Sequence, residues 1–162
     1  MAGLPASGKT AVSRELARQI GAVHIRIDTI EQAVVRSGAA KQPLGPVGYV
    51  IGYAVAADCL RQGLRVVADS VNPLPVTREA WREVAREAGV RFTEIEVVCS
   101  DPVEHRRRVS SRVVDIPDLV PPTWQEILDR EYEPWPDDRI VIDTAGRDIA
   151  TCVRELRTWI AC

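Results

Sequence analysis

The chain has 162 residues, of which 46% are hydrophobic, and carries a formal net charge of −2 with a sequence pI near 5.7. This length and apolar content suit one α/β domain, residues 1–162, with a substantial core. The slightly acidic balance argues against a dedicated nucleic-acid surface, where a basic footprint is usual. The sequence shows no signal peptide or membrane-length apolar run, and its four cysteines, Cys162 included, lack a C-x-x-C spacing. We therefore expect a cytoplasmic protein with reduced cysteines and no membrane partner.

The first predicted element is a phosphate-binding loop. The stretch GLPASGKT, residues 3–10, fits G-x-x-x-x-G-K-[ST], in which backbone N–H groups turn onto a phosphate at the start of a helix. Lys9 is predicted to reach the outer phosphates, and the Thr10 hydroxyl to hold Mg²⁺. A chance glycine turn before a helix is the alternative. The residues predicted to form this anion site are Gly3, Ala6, Ser7, Gly8, Lys9 and Thr10.

The rest of the chain alternates strands and helices, which predicts a parallel sheet covered on both faces by helices. The predicted strands are residues 22–28, 64–71, 90–100 and 138–145. The predicted helices are residues 10–20, 29–37, 48–63, 77–89, 103–113, 122–132 and 148–160. Thr77 is predicted to cap its helix, and Asp101-Pro102 to open the next one.

A phosphate-binding loop normally joins a strand to a helix, yet only Met1 and Ala2 precede Gly3. A gap at a central strand would leave two neighbouring strands with unpaired backbone groups. We therefore expect that the complete chain begins further upstream, and a sheet with a gap is the alternative.

Two aspartates are predicted at strand ends, where open α/β sheets bind their ligands. Asp28 ends the predicted strand 22–28, and is a candidate general base that accepts a proton from a substrate hydroxyl. Its alternative role is the N-cap of the following helix. Asp69 closes the hydrophobic run RVVAD and is a candidate Mg²⁺ ligand, directly or through water, with a turn-forming aspartate as the alternative.

The basic stretch EHRRRVSSR supplies a third group of candidates. Arg108 and Arg112 are four residues apart, which predicts that they share a helix face. Their guanidinium groups suit phosphate charge that develops in a transition state. A proline-punctuated segment follows, so residues 106–124 are predicted to form a mobile lid. The alternative is a solvated basic face.

The motifs GLPASGKT, RID, VVADSVN, CSDPVEHRRRVSSR and PTWQEILDREYEPW together resemble the small P-loop kinases grouped with chloramphenicol phosphotransferase, gluconate kinase, shikimate kinase and the kinase domain of polynucleotide kinase. The resemblance spans nearly the whole chain, though only the phosphate-binding loop is specific by itself. It implies a three-layer P-loop NTPase fold with a five-stranded parallel sheet in the order 2-3-1-4-5, the first strand being the one that should precede Gly3. It also implies ATP with Mg²⁺ and a lid over the phosphates.

Position by position, the resemblance implies phosphate and metal contacts for Lys9 and Thr10, a catalytic role for Asp28, and an R-x-x-x-R lid motif at Arg108 and Arg112. It also places Thr144 near the loop that borders the adenine. The chain departs from several relatives at Glu31, where they have an arginine. Arg26 or Arg36 could replace that arginine.

The leading hypothesis is an ATP-dependent phosphotransferase acting on a hydroxyl of a small molecule. The alternatives are a nucleotide-binding switch with slow hydrolysis only and a 5′-hydroxyl nucleic-acid kinase. The sequence names neither the acceptor nor the oligomeric state. Aromatic residues could line the acceptor pocket, although their helical spacing favours the core. They are Tyr49, Tyr53, Trp81, Trp124, Tyr132 and Trp135.

Overall fold

A computed structural model describes residues 1–135 and 138–160. Helices and strands alternate along this part of the chain, as the sequence predicts. None of its helices is long and apolar enough to cross a lipid bilayer. The reduced state predicted for Cys162 lies outside the described residues. The elements are α1 Lys9–Ile20, β1 Val23–Arg26, α2 Ile27–Arg36, α3 Val47–Arg61, β2 Val66–Asp69, α4 Pro75–Glu87, β3 Ile95–Val98, α5 Pro102–Ser111, α6 Trp124–Leu128, β4 Ile140–Asp143 and α7 Ile149–Ile160.

The strands form two parallel pairs, which is the P-loop NTPase-like α/β arrangement. β1 pairs with β2, so that Arg26 lies opposite Asp69 at the carboxyl ends of the two strands. β3 pairs with β4, with Ile95 opposite Ile140. All four predicted strands are present, and each is shorter than its apolar run because the flanking residues turn into loops or helices.

The first residues of the chain lie between the two pairs. The Ala2 N–H donates to the carbonyl of Ile95 at 2.8 Å, and the Ala2 carbonyl accepts from the Val97 N–H at 2.8 Å. On the other side, the Ser70 N–H donates to the carbonyl of Met1 at 3.3 Å. These residues therefore satisfy backbone groups of both β2 and β3. Five strands in the order 2-3-1-4-5 remain a prediction.

The core lies where α1 and α7 pack against the strands. Val12 and Leu16 of α1 are buried, as the helical spacing predicts, and Leu156 of α7 is fully buried beside them. Burial of these side chains supplies the apolar stabilisation of the fold. The cluster consists of Val12, Leu16, Ala17, Val67, Ile95, Val97, Ile142, Cys152, Val153 and Leu156.

Two helix starts test the capping predictions. Asp101 caps α5 as predicted, because its carboxylate accepts from the N–H groups of Val103 and Glu104. The prediction for Thr77 is wrong, since α4 begins at Pro75 and the Thr77 hydroxyl donates to the carbonyl of Leu74. Proline at the first helical position has a backbone angle suited to helix initiation, and this moves the start two residues earlier.

Arg78 on α4 anchors the segment that leads into the last strand. Its guanidinium is buried, with 1% of the residue exposed, and donates to four carbonyl groups. It also lies 4.0 Å from the ring centroid of Trp135. One side chain thus joins α4 to the loop after β2 and to residues 133–134. The four acceptors are the carbonyls of Asn72, Pro73, Glu133 and Pro134.

We expect Arg78→Ala to lower the free energy of unfolding by about 3 kcal/mol or more, because several carbonyls lose their donor at once. Arg86→Ala is the matched control, since Arg86 on the same helix is exposed and pairs only with surface glutamates. It should change the free energy by less than about 0.5 kcal/mol. Chemical denaturation measures both, and equal effects of the two substitutions would contradict the anchoring role.

Candidate active site

The phosphate-binding loop leads directly into α1. Gly8 precedes the helix in a left-handed conformation and contributes no side-chain cap. The first N–H groups of α1 therefore stay open to an anion, and the helix dipole favours negative charge there. Ala6 also has a positive φ of 63°. This geometry is the one that the sequence motif predicts for residues 3–10.

Gly3 allows the phosphate-binding loop to pack closely against β3, because glycine has no side chain. A Cβ at this position would lie 2.2 Å from the carbonyl oxygen of Val97, and its φ is +144°. Any side chain here would push the loop away from β3. The phosphate contact predicted for Gly3 remains a prediction.

A cavity of about 510 Å³ opens in front of the loop. Most of the predicted site residues, including all four predicted catalytic ones, border it, although they come from distant parts of the chain. Four other predicted residues do not line it: Gly3, Ser7, Asp69 and Thr144. Those that line it are Ala6, Gly8, Lys9, Thr10, Asp28, Arg108 and Arg112.

Lys9 is held by a buried ion pair. Its Nζ lies 2.9 Å from Oδ1 of Asp69, and the Asp69 side chain has no exposed surface. Burial alone would raise the pKa of Asp69, but the charge of Lys9 and the hydrogen bond from His24 outweigh it and place the pKa below its ordinary value. Asp69 is therefore ionised at neutral pH, and Lys9 has a fixed partner.

His24 is a functional candidate that the sequence interpretation missed. Its Nε2 lies 3.1 Å from Oδ2 of Asp69, so both carboxylate oxygens have partners. The signal was the alternation of His24, Arg26 and Asp28, which places polar groups on one face of β1. Pairing of β1 with β2 turns that face toward Asp69.

Asp28 lies in the cavity but not at a strand end. β1 stops at Arg26, and Asp28 stands in the first turn of α2. The helix begins early because Ile27 is buried against α3, where it contacts the position of Gly52. The Asp28 carboxylate is not the N-cap either, and it lies 3.7 Å from the Arg26 guanidinium. Its role as general base remains a prediction.

Arg112 is the C-cap of α5, which ends at Ser111, and both Arg108 and Arg112 line the cavity. Arg108 donates from Nη1 to the Thr144 hydroxyl at 2.7 Å and from Nε to Glu104 at 3.1 Å. Among the described residues Arg112 makes no hydrogen bond or ion pair. Arg112 is therefore the arginine that can turn toward a ligand, whereas Arg108 is already engaged.

Thr144 is hydrogen-bonded to the phosphate-binding loop. Its fully buried hydroxyl lies 2.7 Å from the carbonyl of Ser7 and 3.0 Å from that of Val98. The adenine contact predicted for Thr144 remains a prediction. His105, also missed from sequence, donates from Nε2 to the carbonyl of Pro5 at 2.8 Å. These contacts hold Pro5 and Ser7 of the loop against α5 and the residue that follows β4.

The segment after α5 borders the cavity and is tied by ion pairs to α1, β1 and α2. Asp115 accepts from Arg26 Nη1 at 2.8 Å and also pairs with Arg14. These arginines, Arg26 first, lower the pKa of Asp115 to about 2. Asp118 lies 3.7 Å from Arg36. Arg26 and Arg36 are thus occupied by this segment and do not line the cavity.

Glu31, Tyr49 and Arg130 also line the cavity. Burial raises the pKa of Glu31 to about 7, with a further increase from Asp28 and a decrease from Arg130. Arg130 was missed as a candidate because residues 122–132 were predicted to form one helix. α6 ends at Leu128, which leaves Arg130 in the following turn.

The donor set around Thr10 suits Mg²⁺ bound largely by phosphate and water. Among the described residues no group of three or more histidine, cysteine, aspartate or glutamate side chains is placed to hold a metal ion. Mg²⁺ in nucleotide sites needs only one or two protein ligands. Thr10 borders the cavity, whereas both oxygens of Asp69 are engaged.

A protein-family model described as AAA domain matches residues 1–131. No curated protein matches the chain. Several solved structures are similar to it. The Mycobacterium tuberculosis APS kinase CysC, in complex with AMPPNP and APS, has a TM-score of 0.75 at 18% identity, over 99% of this chain and 95% of that one.

Two further solved structures with different printed names are also similar to the chain. A gluconokinase from Sinorhizobium meliloti 1021 has a TM-score of 0.65 at 21% identity, over 99% of this chain and 89% of that one. Kti12 of Chaetomium thermophilum, in complex with ADP-AlF3, has a TM-score of 0.63 at 20% identity, over 98% and 94%. These likenesses show the fold, and with the family match they confirm the predicted resemblance to small P-loop kinases.

We expect Asp69→Asn to lower the free energy of unfolding by about 3–5 kcal/mol, because Lys9 then becomes an unpaired buried charge. Adding Lys9→Met should recover part of this loss. Chemical denaturation of both single variants and the double variant measures the coupling. Lys41→Met is the control, since Lys41 is exposed and should change stability by less than about 0.5 kcal/mol. Additive effects of Lys9→Met and Asp69→Asn would rule out the coupling.

Proposed function

The chain belongs to the AAA-domain family, and from this premise we propose that it is an ATP-dependent phosphotransferase that acts on a hydroxyl of a small molecule. One observation carries the proposal. A single cavity brings together the loop with Lys9 and Thr10, the carboxylate of Asp28, and Arg112. They would supply an anion site, a proton acceptor and a cation without a partner among the described residues, which are the parts that phosphoryl transfer uses.

ATP would supply the transferred phosphoryl group, and Mg²⁺ held by Thr10, with Asp69 behind it through water, would neutralise phosphate charge. The loop N–H groups hold the phosphates at the start of α1. Lys9 exchanges its contact with Asp69 for one with the outer phosphates, while His24 keeps a hydrogen bond to Asp69.

Asp28 accepts the proton of the acceptor hydroxyl as that oxygen forms a bond to phosphorus and the bond to the ADP oxygen breaks. Arg112 neutralises the charge that develops on the transferred group. Arg108 contributes by holding Thr144 and the loop in place. The proposed lid is residues 106–124, of which the Asp115 pairs with Arg14 and Arg26 form one anchor.

The proposal also includes the extent of the domain, the strand order, the location and the partner. We propose one domain over residues 1–162, a five-stranded sheet in the order 2-3-1-4-5, a cytoplasmic location, and a small-molecule partner rather than nucleic acid. The family match and the kinase structures support the general reaction. The acceptor is addressed below.

ATP consumption with Mg²⁺ tests the function, in a panel of small alcohols, sugars, nucleosides, aminoglycosides and a 5′-hydroxyl oligonucleotide. An acceptor that raises turnover far above background hydrolysis supports a kinase. Stimulation by the oligonucleotide alone would favour the nucleic-acid kinase instead. Tight nucleotide binding without stimulation by any acceptor would favour a switch with slow hydrolysis.

We expect Asp28→Asn to leave nucleotide affinity nearly unchanged and to lower phosphoryl transfer by about 10²- to 10⁴-fold, because the general base is lost. Lys9→Ala should remove turnover together with tight nucleotide binding. Calorimetric titration and a coupled turnover assay separate the two effects.

Asp58→Asn is the control, because Asp58 is an exposed residue of α3 that pairs with Arg61. It should retain the native transfer rate. Transfer at the native rate by Asp28→Asn would show that Asp28 is not the base.

A further inference from the structure

The cavity is lined by charged groups of both signs. Lys9, Arg108 and Arg112 are cations that suit phosphate oxygens. Asp28 and Glu31, two carboxyl groups of α2, line the same cavity, and Arg130 is a cation close enough to Glu31 to affect its pKa. An acceptor that binds beside these carboxyl groups meets net negative charge when both are ionised.

Glu31 is half-buried yet unpaired. In the described part of the chain its carboxyl makes no hydrogen bond or ion pair, although it borders the cavity. Its side chain packs against α3 at Gly48, where a Cβ would lie 2.3 Å from Glu31 Cγ. Glycine at position 48 therefore makes room for this side chain. A glutamine would fill the same space without the cost of burying an unpaired charge.

Glu31 and Asp28 face the same ligand space. They are three residues apart on α2, and side chains at this spacing have Cβ atoms about 5–6 Å apart. Asp28 is the carboxylate proposed to take the hydroxyl proton. Glu31 is thus placed to bind a second group of the same molecule, a few bonds from the reacting hydroxyl.

We propose, on the basis of the proposed function, that the acceptor is a hydroxylated small molecule with a protonated amine, and that Glu31 binds the amine. An ammonium group supplies the missing partner for the Glu31 carboxylate and forms a charge-assisted hydrogen bond. Amino sugars, aminocyclitols and amino alcohols have both groups at suitable spacing. An anionic acceptor beside α2 would be repelled by Asp28 and Glu31, and among the described residues Arg130 is the one cation close enough to Glu31 to affect its pKa.

The test compares each amine acceptor with its neutral hydroxyl counterpart and its acid counterpart, for example glucosamine, glucose and gluconate. We expect the highest kcat/KM for the amine. Glu31→Gln should raise the KM for the amine by about 10- to 100-fold, with a much smaller change in kcat and little change for the neutral acceptor. Glu87→Gln is the control, since Glu87 is exposed on α4, and it should match the native protein.

The pH dependence gives a readout that packing alone would not change. The charged and titratable groups near Glu31 are Asp28, Arg130 and Tyr49. Because the pKa of Glu31 is raised to about 7, the carboxylate forms as the pH rises through that value. With an amine that remains protonated over about pH 6–8, KM should fall across this range in the native protein. Glu31→Gln should lack this change.

The outcomes separate this inference from the proposed function. Preference for a neutral or anionic acceptor, or an unchanged KM for the amine in a folded Glu31→Gln protein, would overturn the inference and leave the kinase in place. Calorimetric titration of the amine in the presence of AMPPNP tests the converse case, in which the amine binds but no phosphoryl group is transferred. Amine binding that depends on Glu31, without any transfer, would overturn the kinase and support the amine site. If Glu31→Gln does not fold, Glu31→Asp supplies the same comparison, with weakened amine selectivity expected.

Discussion

The site depends on the buried ion pair between Lys9 and Asp69. It joins the first turn of α1 to the carboxyl end of β2, and His24 adds a hydrogen bond from the neighbouring strand β1. A buried charge without a partner is costly, so each member of this group constrains the others. The loop, α1 and two strands are consequently held in one arrangement before any phosphate binds. A phosphate that attracts Lys9 replaces one charged partner by another, while Asp69 keeps His24.

The same arrangement is supported from outside the ion pair. Thr144 and His105 bond to carbonyls of the phosphate-binding loop, and Arg108 holds Thr144 in turn. The pairing of Asp115 with the buried Arg26 ties the segment after α5 to β1. The other ion pairs of this segment, Asp115 with Arg14 and Asp118 with Arg36, are exposed. Exposed pairs contribute little free energy, which suits a segment proposed to open and close.

The two carboxyl groups of α2 have different surroundings. Asp28 has the Arg26 guanidinium 3.7 Å away, whereas Glu31 packs against the backbone of α3 and has a raised pKa. One helical turn therefore carries two carboxyl groups with different surroundings, and the pKa of Glu31 is raised to about 7. This difference between Asp28 and Glu31 arises from burial and from neighbouring charges. It cannot be recognised from the sequence, which shows only two acidic residues on one helix face.

The sequence was enough to predict the alternation of helices and strands, the phosphate-binding loop, and the strand that ends at Asp69, because hydrophobic periodicity and glycine spacing are local properties. It placed Asp28, Arg112 and Lys9 in one candidate site before their contacts were known. It misplaced the end of β1 and the end of α5, since burial of Ile27 against α3 and the ion pairs of Asp115 are long-range. The contact of His24 with Asp69 and the positions of Arg130 and Glu31 in the cavity likewise depend on long-range packing. Their partners lie on other elements, and sequence spacing carries no information about which charged groups the fold brings together.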